Sequence, residues 1–195
     1  MEENKDKIVI EFTEELLEEW TKLYFKKHPR ARKKPIEHAQ NPSLNKWIIL
    51  RRLSMNKLKQ DFKDFTKFVV HYYGLEDLSI SKCKCNYITY RENYRRIDLD
   101  NTTPKFLLDG LTAECTGVLV DDGIDCITSL TLLSEYKGHY GSRIEFYDCD
   151  YDKDLMLKTR EKENIKSNKR SKTIEKNKAE KKIKRKTKKK VSSNK

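Results

Sequence analysis

The sequence lacks long hydrophobic runs, and this absence limits where the protein can be placed. No apolar stretch approaches the roughly 20 residues that a membrane-spanning helix requires. The opening residues, MEENKDKIVIEF, contain an apolar stretch that is too short for a secretory signal. We therefore expect a soluble, cytoplasmic protein that has no membrane partner.

The sequence also lacks cysteines in a metal-binding or disulfide pattern. Its five cysteines are an odd number, contain no CxxC pair and have no histidine partners at a suitable spacing. This pattern argues against zinc and against disulfides, and it fits a reducing compartment. None of the four histidines has a neighbour in sequence that suggests a role. The cysteines are Cys83, Cys85, Cys115, Cys126 and Cys149.

Positive charge is abundant, but it is concentrated at one end of the chain. The formal net charge is +12, yet residues 158–195 hold 18 Lys or Arg against 4 Glu, and residues 1–157 hold 25 basic against 27 acidic residues. A segment without aromatic residues cannot bury enough apolar surface to offset its ordering entropy. We therefore predict one folded domain over residues 1–157 and a disordered Lys-rich tail over residues 158–195.

The polybasic tail favours a polyanionic partner such as nucleic acid. Its attraction would depend strongly on salt and hardly at all on nucleotide sequence. A solubilising or ribosome-binding tail is an equally good interpretation of the tail alone. The tail by itself therefore does not decide the function.

Hydrophobic periodicity predicts a strand and two helices in the first half of the chain. Residues 7–12 are short and β-branched, which favours a strand, and Thr13 precedes an amphipathic stretch that predicts a helix over 14–27. Apolar residues then recur at three- and four-residue steps from Leu44 to Tyr73. This spacing predicts a second, long helix that ends at Gly74.

The residue pattern in the second half of the chain predicts three strands and a short helix. Alternation over 78–90 favours a strand, and further strands are expected around 123–135 and 142–149, joined by the turn residues KGHYG. Thr103 is a good N-cap before Pro104 at the first helical position, with Gly117 just past the helix end. This order predicts an α+β domain with a small mixed β-sheet and packed helices.

Aspartates near this short helix form a candidate metal site. On an extended segment Asp98 and Asp100 point to the same side, and their mutual repulsion, roughly 4 kcal/mol at about 4 Å, would be removed by a divalent cation. Asp121 and Asp122 follow the apolar stretch GVLV, where we expect a strand or turn to bring the chain back beside the start of the short helix, so one of them can supply a third ligand. Mg²⁺ suits such all-oxygen sites, with Mn²⁺ as an alternative. A chance DxD, an ordinary DDG turn or an Asx turn would also explain these residues.

Lys105 stands in the first turn of the short helix, where a positive charge opposes the helix dipole. That position costs about 0.3–1 kcal/mol unless an anion lies close by. A carboxylate cluster or a phosphate group is such an anion.

These residues together resemble the signature of the RusA-type crossover-junction endodeoxyribonucleases, the Holliday junction resolvases. The run RRIDLDNTTPKFLLDGLTAECTGVLVDDGI is similar to their pattern of a basic pair, DxDN, a nearby lysine, an LDAL-like helix and a glycine followed by a double Asp. The segments NPSLNKW and NKLKQDF resemble the first helix of phage-borne members. The resemblance covers residues 40–149 and leaves the helix and basic loop at 13–40 as an addition.

The resemblance implies a RusA-like homodimer that binds four-way DNA and nicks two opposed strands symmetrically with Mg²⁺, in recombination or repair. It implies that Asp98, Asp100 and Asp122 hold the metal, that Lys105 stabilises charge at the phosphate, and that Asp109 supports the site. It also implies a bacterial or phage-encoded protein associated with the nucleoid. The family's lysine usually comes one residue earlier, where this chain has Pro104.

DNA contact is a separate expectation, carried by basic residues around the acidic site. Arg95 and Arg96 are the best candidates because they adjoin the DxDN segment. A non-catalytic nucleic-acid-binding protein, or a nuclease for other branched DNA, remains as an alternative function. The further candidates for phosphate contact are Arg30, Arg32, Lys33, Lys34, Arg51 and Arg52.

Overall fold

The computed structural model describes residues 7–169 and has the predicted α+β architecture. The chain divides into two compact units, Met1–Met156 and Leu157–Lys195. No helix in the described range is both long and apolar enough to span a membrane. The first unit contains β1 (Ile8–Thr13), α1 (Glu14–Lys27), α2 (Leu44–Trp47), α3 (Arg52–Tyr73), β2 (Ile80–Arg91), a 3₁₀ helix (Leu99–Asn101), α4 (Lys105–Leu111), β3 (Ile127–Tyr136) and β4 (Gly141–Tyr151).

The four strands form one mixed sheet in the order β1-β4-β2-β3. β4 pairs antiparallel with both β1 and β2, and Ile144 stands between Ile10 and Tyr87 in this register. β2 and β3 are parallel. The predicted turn at KGHYG is present, but it joins β3 to β4 across the end of β2, so the two strands that it connects are not neighbours.

The core lies between one face of this sheet and the helices. Ile10, Tyr87 and Phe146 alternate inward from the strands and belong to one buried cluster with Trp20 of α1 and Phe65 of α3. The Phe65 ring lies 5.6 Å from that of Trp20. Since alternate residues face the other side, that side of the sheet carries polar side chains such as Glu11, Arg143 and Glu145.

Helix α1 has the bounds that the sequence predicts. The Thr13 hydroxyl accepts a hydrogen bond from the Leu16 backbone N–H at 3.3 Å, which is the expected N-cap contact. Acidic residues in the first turn and lysines in the last turn complement the helix dipole.

The predicted helix over 44–73 is wrong in its first quarter, where the structure has two helices. α2 ends at Trp47, and Arg51 takes an extended conformation with ψ of 142° before α3 begins. The apolar residues here do not continue the buried stripe of α3, because Ile49 is 81% exposed and Leu53 is 84% exposed. Apolar spacing alone therefore overstated the length of this helix.

The ends of the short helix α4 also differ from the prediction. Pro104 is the N-cap residue instead of the first helical residue, and no side chain at that position caps the helix. The side-chain oxygen of Asn41 instead accepts a hydrogen bond from the Phe106 N–H at 2.7 Å. Gly117, with φ of 71°, follows a turn after the helix and not the helix end itself.

The start of β3 and the beginning of the tail require two further corrections. Residues 123–126 form a turn, closed by a 3.0 Å hydrogen bond from Cys126 N–H to the Gly123 carbonyl, so β3 starts at Ile127. Residues 157–169 are helical in the second unit and not disordered as predicted. Lys, Glu and Arg are good helix formers, and Glu163 pairs with Lys166 one turn later. The rest of the predicted disordered tail, 170–195, lies outside the described residues.

Candidate nucleic-acid interface

The DxDN segment forms a 3₁₀ helix instead of the extended segment that the sequence predicted. The Asn101 N–H donates to the Asp98 carbonyl at 3.1 Å, and the Thr102 N–H donates to the Leu99 carbonyl at 3.0 Å. At three residues per turn, side chains two positions apart point in different directions. Both side chains are exposed, but Asp98 lines a cleft and Asp100 does not.

That cleft has a volume of about 480 Å³ and is lined by three parts of the chain. These are the loop and helix start between residues 37 and 46, the end of β2 with the residues that follow it to Thr102, and Tyr140. The predicted DNA contacts Arg95 and Arg96 lie in it together with Asp98. The structure therefore brings the basic pair and the first acidic residue of the motif to one place.

The cleft has a small excess of uncommitted positive charge, because three arginines line it together with two acidic residues that are unpaired within the described chain, Glu92 and Asp98. Arg91, Arg95 and Arg96 line it, and none of them forms an ion pair with a carboxylate in residues 7–169. The Nε atom of Arg91 is buried and has no hydrogen-bond partner within the described chain. Lys46, which also lines the cleft, is already paired with Glu37 at 3.2 Å. The three arginines are therefore the groups that remain to bind an anion.

The loop that forms one wall of the cleft is fixed by hydrogen bonds to the start of α1 and to the strands β2 and β4. The Ala39 N–H donates to the Glu14 carboxylate at 2.8 Å, and the Ala39 carbonyl accepts from the Ser142 hydroxyl at 3.0 Å. The Asn41 N–H donates to the Tyr87 hydroxyl oxygen at 3.1 Å. Burial raises the pKa of Tyr87 to about 12, so this phenol stays protonated at neutral pH.

Two contacts between aromatic rings also contribute to the structure of the cleft. The His38 and Tyr140 rings, which both line the cleft, lie 3.9 Å apart with an angle of 32° between their planes. On the other side, Tyr94 stacks on Tyr136 of β3, with 3.9 Å between centroids, and so fixes the segment that carries Arg95 and Arg96.

A separate charged cluster surrounds Lys105 at the start of α4. Its ammonium lies 3.0 Å from an Asp109 oxygen and 3.5 Å from an Asp122 oxygen, and Lys59 lies 3.7 Å from Asp109. Asp122 is thus placed beside Lys105 and Asp109, as the predicted return of the chain to this helix requires. Lys105 contacts carboxylates, which are the kind of anion that its position at the helix start calls for.

The electrostatics of this cluster follow from burial and from the two opposite charges. Burial raises the pKa of the Asp122 carboxyl, Lys105 lowers it, and the neighbouring Asp109 raises it again, so the net direction is upward. For Lys105, burial lowers the pKa, but Asp109 and Asp122 outweigh it and the net direction is again upward. The two pKa shifts favour a protonated Lys105 beside an Asp122 carboxyl that holds its proton more tightly than usual.

The predicted magnesium ligands are not assembled in this structure. Among residues 7–169, no group of three or more His, Cys, Asp or Glu side chains is arranged to hold a metal ion. Asp98 lines the cleft, Asp100 is exposed and Asp122 is engaged by Lys105. The three-carboxylate set of Asp98, Asp100 and Asp122 therefore does not fit a magnesium site here. Asp121, the other candidate ligand, is exposed.

The other basic residues predicted to contact DNA lie outside the cleft and are exposed. They occur in two places, the loop after α1 and the junction between α2 and α3. No acidic residue occurs between Glu37 and Asp61, so the second place has no negative charge within its own stretch of chain. These residues are Arg30, Arg32, Lys33, Lys34, Arg51 and Arg52.

Sequence reasoning missed Arg91, His38 and Tyr140. Arg91 ends a strand that the alternation predicts, but nothing in the sequence shows that the strand end faces a cleft. His38 and Tyr140 are about 100 residues apart, and only the pairing of β4 with β1 and β2 brings their segments together.

Comparison of the chain with models of known protein families gives no match. No curated protein sequence matches it either.

Proposed function

We propose that this chain is an endonuclease of the crossover-junction type, which binds branched DNA as a homodimer and nicks its strands. The proposal is supported by one observation above all. The exposed segment that carries the resemblance places Arg95, Arg96 and Asp98 in the same cleft, beside the uncommitted Arg91. A phosphate group and the acidic residue that acts on it would therefore be neighbours.

The three arginines supply the binding step. A phosphodiester carries one negative charge, and guanidinium groups bind its oxygens through short, charge-assisted hydrogen bonds. Because these guanidinium groups have no carboxylate partners in the described chain, no ion pair has to break when a phosphate enters. Such interactions position the DNA without selecting its sequence.

Asp98 supplies the chemical step in this proposal. Its carboxylate lines the cleft and has no ion-pair partner among the described residues, so it can accept the proton of a water molecule that attacks the phosphorus. As the new P–O bond forms, the P–O bond to the departing sugar oxygen breaks, and that oxygen takes up a proton from solvent. Lys105 acts on Asp109 and Asp122, and its contribution in this arrangement is to hold those two carboxylates together. The need for Mg²⁺ or Mn²⁺, which the resemblance implies, stays a prediction for experiment.

The test is cleavage of a labelled four-way junction, with linear duplex as the competing substrate. The full chain is assayed with Mg²⁺, with Mn²⁺ and with EDTA, beside Asp98→Asn and the control Asp154→Asn. Asp154 is exposed and lies outside the cleft. We expect paired nicks with wild type and Asp154→Asn, and a loss of at least about 100-fold with Asp98→Asn because a general base contributes that much. Junction binding should be retained in all three, and full cutting by Asp98→Asn would contradict the assignment.

A non-catalytic nucleic-acid-binding protein is the second candidate. It is favoured by the Lys105 cluster, where Asp109 and Asp122 are already compensated by two lysines in the manner of a structural ion-pair network. Binding without cutting under every metal condition, in wild type and variants alike, would select this candidate. Cutting of flaps in preference to four-way junctions would instead select a nuclease for other branched DNA.

A further inference from the structure

We infer that the cleft binds one unpaired nucleotide of the DNA, with its phosphate on the arginines and its base against the His38–Tyr140 ring pair. This inference rests on the proposed function, because it names the part of a branched substrate that the cleft recognises. The chemistry required of the ligand is that of a nucleoside monophosphate, whether free or within a strand.

The charge and the position of the arginines define the phosphate end. Arg95 and Arg96 follow β2 on the segment that Tyr94 fixes against Tyr136, and Arg91 is the last residue of β2. None of these three guanidinium groups is paired with a carboxylate in the described chain, so each can donate hydrogen bonds to an entering acceptor. A phosphate oxygen is an acceptor of suitable charge.

The ring pair defines the base end. His38 and Tyr140 line the same cleft and already lie parallel to within 32°. A nucleobase stacks on such rings whatever its identity, because every base has a flat π surface. A cleft that is lined by both arginines and a pair of aromatic rings offers partners for the phosphate and for the base of a nucleotide.

Size and rigidity restrict the ligand further. A volume of about 480 Å³ lies within the range of small-molecule sites, so it suits one nucleotide. The wall that carries His38 is anchored through Ala39 and Asn41 to the sheet and to Tyr87. Little ordering is then needed on binding, which favours affinity. A nucleotide that becomes unpaired where a branch point opens is absent from linear duplex, so a cleft for such a nucleotide provides a reason for substrate choice.

The experiment uses a four-way junction with 2-aminopurine at the branch point, the same junction with two unpaired nucleotides there, and a linear duplex. The full chain is compared with Tyr140→Leu, Tyr140→Phe and Tyr72→Leu. Tyr72 is an exposed tyrosine of α3 that lies outside the cleft, so it controls for the loss of a surface ring. Binding of deoxyadenosine monophosphate alone is measured in parallel by calorimetry.

We expect Tyr140→Leu to weaken binding of the junction with two unpaired nucleotides by about 5- to 100-fold, which is the effect of losing one stacked base. The 2-aminopurine fluorescence change on binding should be lost with it. Tyr140→Phe retains the ring and should behave as wild type, as should Tyr72→Leu. Duplex affinity should be the same for all four proteins, since it depends on phosphate charge and not on stacking.

The outcomes separate this inference from the proposed function. If wild type binds and cuts junctions but Tyr140→Leu does so equally well, the nucleotide site is wrong and the nuclease proposal stands. If no branched DNA is bound but deoxyadenosine monophosphate binds in a Tyr140-dependent manner, the site exists for a free nucleotide and the branched-DNA source is wrong. If Tyr140→Leu changes the binding of neither branched DNA nor deoxyadenosine monophosphate, the inference is overturned.

Discussion

Glu145 is a buried carboxylate on the polar side of the sheet, and its neighbours compensate its charge. It is 4% exposed, with Lys7 at 2.7 Å, Arg143 at 2.9 Å and a hydrogen bond from the Tyr147 hydroxyl. Burial raises its pKa, but the Lys7, Tyr147 and Arg143 interactions outweigh burial and the net shift is downward. An ionised Glu145 therefore stabilises the folded state.

The stability of the protein should consequently depend on Glu145 in acid. A lowered folded-state pKa gives stabilisation that is complete above the unfolded pKa of about 4.3 and is lost as the pH falls through the folded value. We expect Glu145→Gln to cost about 1–3 kcal/mol at pH 7, because two cations lose their buried partner, and to flatten the profile below about pH 4.3. Urea unfolding from pH 3 to 7 measures this.

Glu18→Gln is the matched control, since Glu18 is an exposed residue of α1. It should leave both the free energy of unfolding and its pH profile as in wild type. Identical acid profiles for Glu145→Gln and wild type would show that the compensation at Glu145 does not contribute as described.

Helix α4 depends on Asn41, a residue that precedes it by more than 60 positions. A helix of seven residues is too short to be stable by its own propensity. Asn41 satisfies the Phe106 N–H, and Phe106, Leu107 and Leu111 are buried against the core. Tertiary contacts thus replace the local cap that Thr103 was expected to provide.

Replacement of Asn41 by alanine should therefore destabilise the protein. It removes the 2.7 Å hydrogen bond and leaves a buried N–H without a partner, which costs about 1–3 kcal/mol. Thermal unfolding against wild type and Asn45→Ala measures the effect. Asn45 is an exposed residue of α2, so its replacement should have little effect on the melting temperature. Equal destabilisation by the two alanines would argue against the distant cap.

The break before α3, which the sequence did not predict, also depends on tertiary contacts. Leu50 and Leu53 follow the helical spacing, but both are exposed, as are Ile48 and Ile49, and the chain turns at Arg51. The stripe formed by Phe62, Phe65 and Val69 faces the core and was predicted correctly. Periodicity reports which side chains are apolar, whereas burial depends on where another element lies.

Across the whole molecule, positive charge is concentrated in residues 158–195, and from this we predict an effect on DNA binding. Residues 158–195 hold 18 Lys or Arg against 4 Glu. Replacing these basic residues by glutamine should weaken binding to linear duplex and reduce the slope of log Kd against log salt by about 0.9 for each phosphate that the tail no longer neutralises. Titrations at several salt concentrations, with wild type as the reference, measure this slope.

Junction cutting at low salt should survive this change, because the proposed site lies within residues 37–140. A slope equal to that of wild type would show that the tail does not contact DNA. Loss of all nucleic-acid binding, without any cutting by wild type, would support the non-catalytic alternative.

The local features of this protein were determined by its sequence. β1 and the N-cap of α1, the α+β class and the inward stripe of α3 depend on neighbouring residues and on hydrophobic periodicity, which can be read directly. The proximity of Asp122 to Lys105 and Asp109 was also predictable, because a short return of the chain after α4 leaves few alternatives.

Only the tertiary structure decided the composition of the cleft. The pairing of β4 between β1 and β2 brings Tyr140 to His38, and the 3₁₀ turn sends Asp98 and Asp100 in different directions. Such arrangements depend on contacts between residues that are distant in sequence and on backbone angles at a few positions. A linear pattern does not encode either of these separately, so it could not place the acidic and basic residues relative to one another.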